Sequence, residues 1–260
     1  MSAPDQELAG LVMVLDAQER LPSVMRLRDW SYERLAPRSG ELAVDVGSGT
    51  GSEVLRLAAM VGPTGRAVGI EPHPGLRAES EARAAAAQST AEFIAAGALD
   101  LPFDDASVDV LRCERVFQHL DDPQGAACEF ARVLAPRGRM AILDSDWGTA
   151  VISPGDQGIM RRLSETMWAR TPNPFAARHL RAQLSRAGLV LEPDIGSSAL
   201  VMSDDMLPFL LRNLLTEGQE AGAVTAAEAE AMEGEVLAAL AIGEAFLSVT
   251  MFAAIATKPA

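Results

Sequence analysis

Between Val44 and Gly51 the chain reads Val-Asp-Val-Gly-Ser-Gly-Thr-Gly, which puts Gly47, Gly49 and Gly51 at every second position. Glycine at that density serves where backbone must turn with positive φ or meet a ligand without an intervening Cβ. Between a strand and a helix it makes a seat for a nucleotide-like group. Asp45, two residues ahead of the first glycine, can order the loop and a ligand's ammonium through charge-assisted hydrogen bonds. Further on, Gly69-Ile70-Glu71-Pro72 closes a second apolar run, and a carboxylate there can accept from both hydroxyls of a ribose. A dinucleotide fingerprint would want its third glycine at position 52, where Ser52 stands, so a nicotinamide dinucleotide fits less well than a nucleoside bearing an ammonium and no phosphate. For proton transfer the first candidate is His119, in Arg115-Val116-Phe117-Gln118-His119-Leu120. Asp144 and Asp146 follow, in Leu143-Asp144-Ser145-Asp146-Trp147, as bases or as groups that orient an amine or hydroxyl. His73 reads as a loop residue beside Glu71, and His179 as the start of a helix facing either a pocket or water.

Positioning these groups needs a regular scaffold, and the apolar periodicity supplies one. Helices are expected over residues 6 to 20 and Ser23 to Leu35. Strand and helix then alternate: Glu41 to Gly47, Gly51 to Val61, Arg66 to Glu71, Gly75 to Gln88, Glu92 to Ala96, Val108 to Cys113, Pro123 to Leu134 and Arg139 to Leu143. Strands alternating with helices of this length imply a parallel sheet with helices on both faces, and ligands then bind at the carboxyl ends of its strands. Beyond Asp144 the pattern reads as a loop, a helix at 158 to 170, another at Ala176 to Ala187, a strand at Leu189 to Ile195, two helices at 204 to 216 and 225 to 241, and a last strand at Phe246 to Ala256. The run Met206 to Leu215 is apolar nearly all round, too much for a helix with one solvated face.

At 260 residues one large α/β core is enough. Against 36 acidic residues there are 22 Lys and Arg, and the net charge of −14 repels a phosphate backbone, which argues against nucleic acid as partner. Cys113 and Cys128 have neither metal-ligand spacing nor a disulfide framework and suit reduced thiols in a cytoplasmic protein. The apolar stretch Leu11 to Leu15 ends at Asp16, too short for a membrane span, and no basic leader precedes it. No ordered set of metal ligands is visible around Asp144 and Asp146.

Several segments, in order, resemble the class I (Rossmann-like) S-adenosylmethionine-dependent methyltransferases, and among them the group that includes the ubiquinone and menaquinone C-methyltransferases. They are VDVGSGTG, GIEP, AGALDLPFDDASVDVL, RVFQHLDDP and EFARVLAPRGRMAILD, and the resemblance spans about Arg28 to Trp147. It implies S-adenosyl-L-methionine as cofactor, with Gly47, Ser48 and Gly49 at its methionine end, Asp45 ordering that end, Glu71 with Pro72 at the ribose, and Ala98 and Leu99 flanking the adenine. Cys113, at the end of the fourth strand, joins the cofactor-side set, and Arg28 is placed to pair with the methionine carboxylate, with Trp30 and Tyr32 nearby. Many relatives carry an aspartate before that alanine, whereas this chain has Gly97, so the adenine amino group either goes without a carboxylate or finds one in Asp100.

The expected organisation is an N-terminal helical cap (1–35), a cofactor-binding core (36–147) and a remainder of the same α/β domain (148–260). Substrate-lid helices fall at about 155–170 and 204–241, on a mostly parallel seven-stranded sheet. The expected activity is methyl transfer to a small, apolar or aromatic metabolite through oxygen, nitrogen or carbon, without a membrane partner and with a homodimer left open. The alternatives are a protein that keeps the cofactor fold but binds a ligand or rearranges it without methylation, and a nicotinamide oxidoreductase.

Overall fold

A computed structural model describes residues 3–260. Two helices lead, α1 (Ala3–Glu19) and α2 (Pro22–Leu35), and the strand and helix alternation follows: β1 (Leu42–Val46), α3 (Ser52–Val61), β2 (Arg66–Ile70), α4 (Pro74–Ala86), β3 (Glu92–Ile94), β4 (Val108–Glu114), α5 (Pro123–Val133) and β5 (Leu134–Ser153). The chain continues through α6 (Gln157–Arg170), α7 (Ala176–Arg186), β6 (Val190–Leu191), β7 (Gly196–Val201), α8 (Leu207–Glu220), α9 (Ala226–Leu240) and β8 (Phe246–Thr257). The sheet order is β3-β2-β1-β4-β5-β8-β6, with β7 also paired to β8. Strands β3 to β5 of that path run parallel, and β8 is antiparallel to its neighbours.

Strand alternation divides the core between the two faces of the sheet. Val46, Ile70 and Ile142 pack with Phe117, Phe130 of α5 and Leu180 of α7. Ala43, Ala67 and Leu143 pack with Leu27 of α2 and with Val54 and Leu57 of α3. A third core, built from Leu163, Leu211, Leu215, Met232 and Val236, holds α6, α8 and α9 together beside Ile152. This core accounts for the apolar run at 206–215: Leu207, Leu211 and Leu215 are buried, while Phe209 is exposed. Asp156 caps α6 by accepting from Ile159 N at 2.9 Å, and Thr225 and Glu228 form a reciprocal capping box at the start of α9.

The α/β class and the parallel sheet agree with the sequence, but the described residues form eight strands rather than seven. The expected strand at Leu189 to Ile195 shrinks to the two residues of β6, and a separate strand, β7, follows at Gly196–Val201, both paired with β8. The loop expected from Gly148 is also strand. β5 runs on to Ser153 because β8 supplies antiparallel partners, Val151 opposite Ser248 and Ile152 opposite Leu247, across a register shift after Asp146. Gly148 marks that irregularity, as glycine in a strand often does.

Candidate functional site

The glycine loop leaves β1 with Gly47 at φ +75°, where a Cβ would collide with Val116 Cγ2. Gly47 N and Ser48 N donate to Ile70 O at 2.8 and 3.1 Å, which ties the loop to the end of β2. Gly49 is tied to the same place differently: its N–H donates to Glu71 Oε2 at 2.9 Å, and Ser80 Oγ of α4 donates to its carbonyl at 2.8 Å. Glu71 Oε1 accepts from His73 N at 2.9 Å, so two backbone amides fix the carboxylate at the rim. Loop, Glu71, Pro72 and Ala98 line a cavity of about 430 Å³. Ser48 Oγ is buried there without a hydrogen-bond partner. A positive-φ loop, a fixed rim carboxylate and an orphaned hydroxyl in one cavity fit a nucleoside with a polar tail, so the residues present suit S-adenosylmethionine.

Behind the loop lies a charge network not anticipated from the sequence. Arg112 on β4, 1% exposed, pairs through Nη1 with Asp45 at 3.1 Å, through Nη2 with Glu53 of α3 at 3.5 Å, and also with Glu114. Arg28 of α2 donates to Glu114 at 2.8 and 2.9 Å and to Glu53 at 3.1 Å, and Arg115 meets Glu114 at 3.3 Å. Three guanidiniums thus face three carboxylates. Burial raises the Glu114 carboxyl, but Arg28, Arg112 and Arg115 outweigh it and hold that group far below the usual range. For Asp45 burial prevails over Arg112, and its pKa is pushed up to about 6. Arg28 is therefore a buried member of the cavity wall whose Nε, Nη1 and Nη2 all meet protein carboxylates.

A second cavity, about 600 Å³, adjoins the first, and Leu11, Leu15, Arg115 and His119 line both. His119 ends a 3₁₀ turn, Phe117–His119. Burial, with Arg115 adding to it, lowers its pKa from the usual histidine value, which favours the neutral imidazole. Asp144, fully buried, anchors that turn from below: its Oδ2 accepts from Gln118 N at 3.2 Å and its Oδ1 from Ser145 N at 2.8 Å. Gln118 Oε1 accepts from Trp147 Nε1 at 2.7 Å, and Asn173 Nδ2 donates to Phe117 O at 3.2 Å.

Several expected site residues lie elsewhere. Asp144 lines neither cavity, and burial pushes its pKa up to about 7. Asp146 turns to the opposite side, where Arg178 Nη2 donates to it at 2.7 Å and where it borders a separate small cleft. Asp144 is taken up by backbone amides, and Asp146 by the Arg178 guanidinium and the Gly148 amide. Leu99 is 50% exposed and outside the first cavity, unlike Ala98. Cys113 is sealed in the core between β1 and β5 and lines neither cavity. Asp100 is exposed and forms no part of the lining, His73 caps α4 by accepting from Leu76 N at 3.2 Å, and His179 faces solvent. Sequence reasoning missed Arg112, Glu114, Glu53 and Arg115, although one signal pointed to them. Arg112 and Glu114 alternate on one face of a strand, and parallel pairing of β1 with β4 sets Asp45 beside Arg112.

Comparison with known proteins converges on the same elements. Residues 44–142 match the methyltransferase domain family. The chain is 35% identical over 147 residues to the uncharacterized 37.1 kDa protein in transposon TN4556 of Streptomyces fradiae, covering 56% of this chain and 40% of that protein. It is 34% identical over 112 residues to O-methyltransferase rstn1 of Aspergillus nomiae, covering 43% of this chain and 50% of the relative. The chain thus spans half or less of the length of these curated relatives. Among solved structures, the YcgJ protein of Bacillus subtilis superimposes with a TM-score of 0.64 at 16% identity, over 90% of this chain and 98% of that one, which is a likeness of fold. No helix among the described residues is long and apolar enough to cross a membrane.

Proposed function

We propose that the chain, whose residues 44–142 match the methyltransferase domain family, is a class I, S-adenosylmethionine-dependent methyltransferase that methylates a small molecule held in the larger of the two cavities, with His119 as the proton acceptor. The observation that carries this reading is the shared wall. The His119 imidazole, whose neutral form burial favours, stands where a cavity suited to the cofactor meets a second cavity large enough for a metabolite. Bound in the first cavity, the cofactor supplies a methyl group made electrophilic by sulfonium. The chain's own residues do the rest. Gly47, Ser48 and Gly49 seat the amino-acid end beside Asp45 and Arg28, and Glu71 keeps lone pairs free for two ribose hydroxyls. His119 would take the proton from an acceptor hydroxyl that the walls of the second cavity align, and such alignment supplies much of the rate. Two relatives named as O-methyltransferases, rstn1 and one for tocopherol, support oxygen as the acceptor atom, beside others named as methyltransferases of demethylmenaquinone and of a phytyl naphthoquinone.

Helix α1 closes both cavities with Leu11 and Leu15, and α6 and α8 wall the second, in keeping with a cap and a substrate lid around one domain. Two unpaired cysteines suit a reducing, cytoplasmic setting.

The test is calorimetric titration with S-adenosylmethionine and with NAD, followed by turnover against phenols and alcohols. Binding of the first alone, with methylated product, is expected. Binding of NAD, or tight S-adenosylmethionine binding with no methylated product across the panel, would overturn the reading in favour of an oxidoreductase or a non-methylating protein. Within the same experiment Glu71→Ala is expected to weaken S-adenosylhomocysteine binding about thirtyfold, or about 2 kcal/mol, the scale of hydrogen bonds to a charged group. Unchanged affinity would remove Glu71 from the cofactor site.

A further inference from the structure

The acceptor cavity has a charge pattern that narrows what it can hold. Its formal charges among the described residues are those of Arg115, Arg170 and Glu217, besides the titratable His119. Each has a protein partner. Arg115 meets Glu114 at 3.3 Å and donates to Gln18, while Arg170 pairs with Glu217 at 3.3 Å and with Glu220 at 3.7 Å. A phosphate, sulfate or carboxylate entering this space would lose its hydration and find no unpaired cation, and an ammonium would find no unpaired carboxylate. The molecule's net charge of −14 adds a repulsive field against anions before they arrive. The walls are apolar and adaptable. Trp147 and the thioethers of Met160, Met167 and Met202 face the cavity, and thioether sulfur packs favourably against aromatic ring edges. Hydroxyls of Ser145, Ser164 and Ser248 break that surface at intervals, enough to hold ring oxygens without binding a charge.

From these features we infer that the methyl acceptor is an uncharged, ring-rich alcohol or phenol, recognised by apolar and thioether contact and presented to His119 by its hydroxyl group. This rests on the reading of the larger cavity as the acceptor site and adds the class of molecule to it. Anionic metabolites, including phosphate and diphosphate esters and carboxylic acids, are excluded by the pairing of Arg115 and Arg170.

Estradiol and estradiol 3-sulfate share one ring system and differ by an anion, so they serve as probes. The full chain, saturated with S-adenosylhomocysteine, is dialysed against each. Estradiol is expected to bind at least tenfold more tightly than its sulfate. Met167→Arg would introduce an unpaired cation from α6, and the preference is then expected to fall or reverse by tenfold or more. Leu214→Arg, from α8, makes the same change if the first variant does not fold. Retained S-adenosylhomocysteine affinity certifies folding in either. Equal or tighter binding of the sulfate to the native chain, no binding of estradiol up to its solubility, or indifference of both probes to a folded arginine variant would each overturn the inference. Failure of S-adenosylhomocysteine to bind the native chain would instead overturn the cofactor reading beneath it, so the two failures are distinguishable.

Discussion

Replacing Arg112 with methionine is expected to cost about 3–5 kcal/mol of folding free energy at pH 7, among the largest effects of any single change in this chain. The side chain is fully buried and its guanidinium faces Asp45, Glu53 and Glu114. Methionine fills much of the same volume, so cavity formation contributes little, and the cost comes from leaving carboxylates in a low-dielectric interior with only Arg28 and Arg115 to offset them. The pH dependence has a definite sign. In the native chain Glu114 is held far below its unfolded value, so it contributes stability that is present above about 4.5 and lost only as pH falls through its depressed value. Asp45 runs the other way. Its folded value of about 6 lies above the unfolded one, so its contribution favours low pH and is lost as pH rises through about 6. Without Arg112 both carboxyls shift upward, the folded variant binds protons that the native protein does not, and the deficit should narrow as pH drops from 7 towards 5. Urea unfolding at the two pH values measures it. A loss below about 1 kcal/mol at pH 7, or one that widens on acidification, would mean that the network is dispensable or that its charges are not where the structure has them.

That network also marks where sequence reading runs out. The glycine loop and Glu71 are legible because the residues that need one another are close in the chain and their backbone demands are local: Gly47 must adopt positive φ, and the carboxylate must sit at a strand end. Arg112 lies in Val-Asp-Val-Leu-Arg-Cys-Glu, which scans as a strand and says nothing of what its charges meet. Its burial depends on Asp45 and Glu53, 67 and 59 positions earlier in the sequence, and on a helix that precedes the sheet altogether. Only the register of β1 against β4 converts a costly strand arginine into a satisfied one.

Asp144 and Asp146 show the opposite case. Two carboxylates at a strand's carboxyl end point to chemistry when the sheet edge is the only information. Hydrogen-bond accounting moves them, since the 3₁₀ turn after β4 offers amides that need an acceptor and Arg178 offers a guanidinium. The strand itself reads as ending at Leu143 because the apolar pattern weakens beyond Asp144, and only β8, far downstream, reveals that pairing continues and resumes beyond the irregularity at Gly148. The second cavity depends on that extension, as Ala150, Val151 and Ile152 form part of its wall.

The turn that Asp144 anchors carries His119, and His119→Ala is expected to lower kcat by about a hundredfold or more while leaving S-adenosylhomocysteine affinity within about twofold. The imidazole lies where the two cavities meet, so its loss removes a proton acceptor without opening the glycine loop. Its lowered pKa also shapes the native enzyme's pH profile. Since only the neutral ring accepts a proton, activity should hold on acidification past pH 6.5 and fall only as the pH passes through the depressed value. In the alanine variant that acid limb should disappear from the residual rate. Asp144→Asn provides the contrast. It retains one acceptor for the turn, so it should alter the rate much less than His119→Ala, and the acid limb set by His119 should persist. Three results would sink the assignment: a near-native kcat in His119→Ala, a rise in acceptor KM with kcat unchanged, or an acid limb that survives the loss of the imidazole. The second would make His119 a wall of the pocket rather than its base, with alignment against the sulfonium sufficient for turnover.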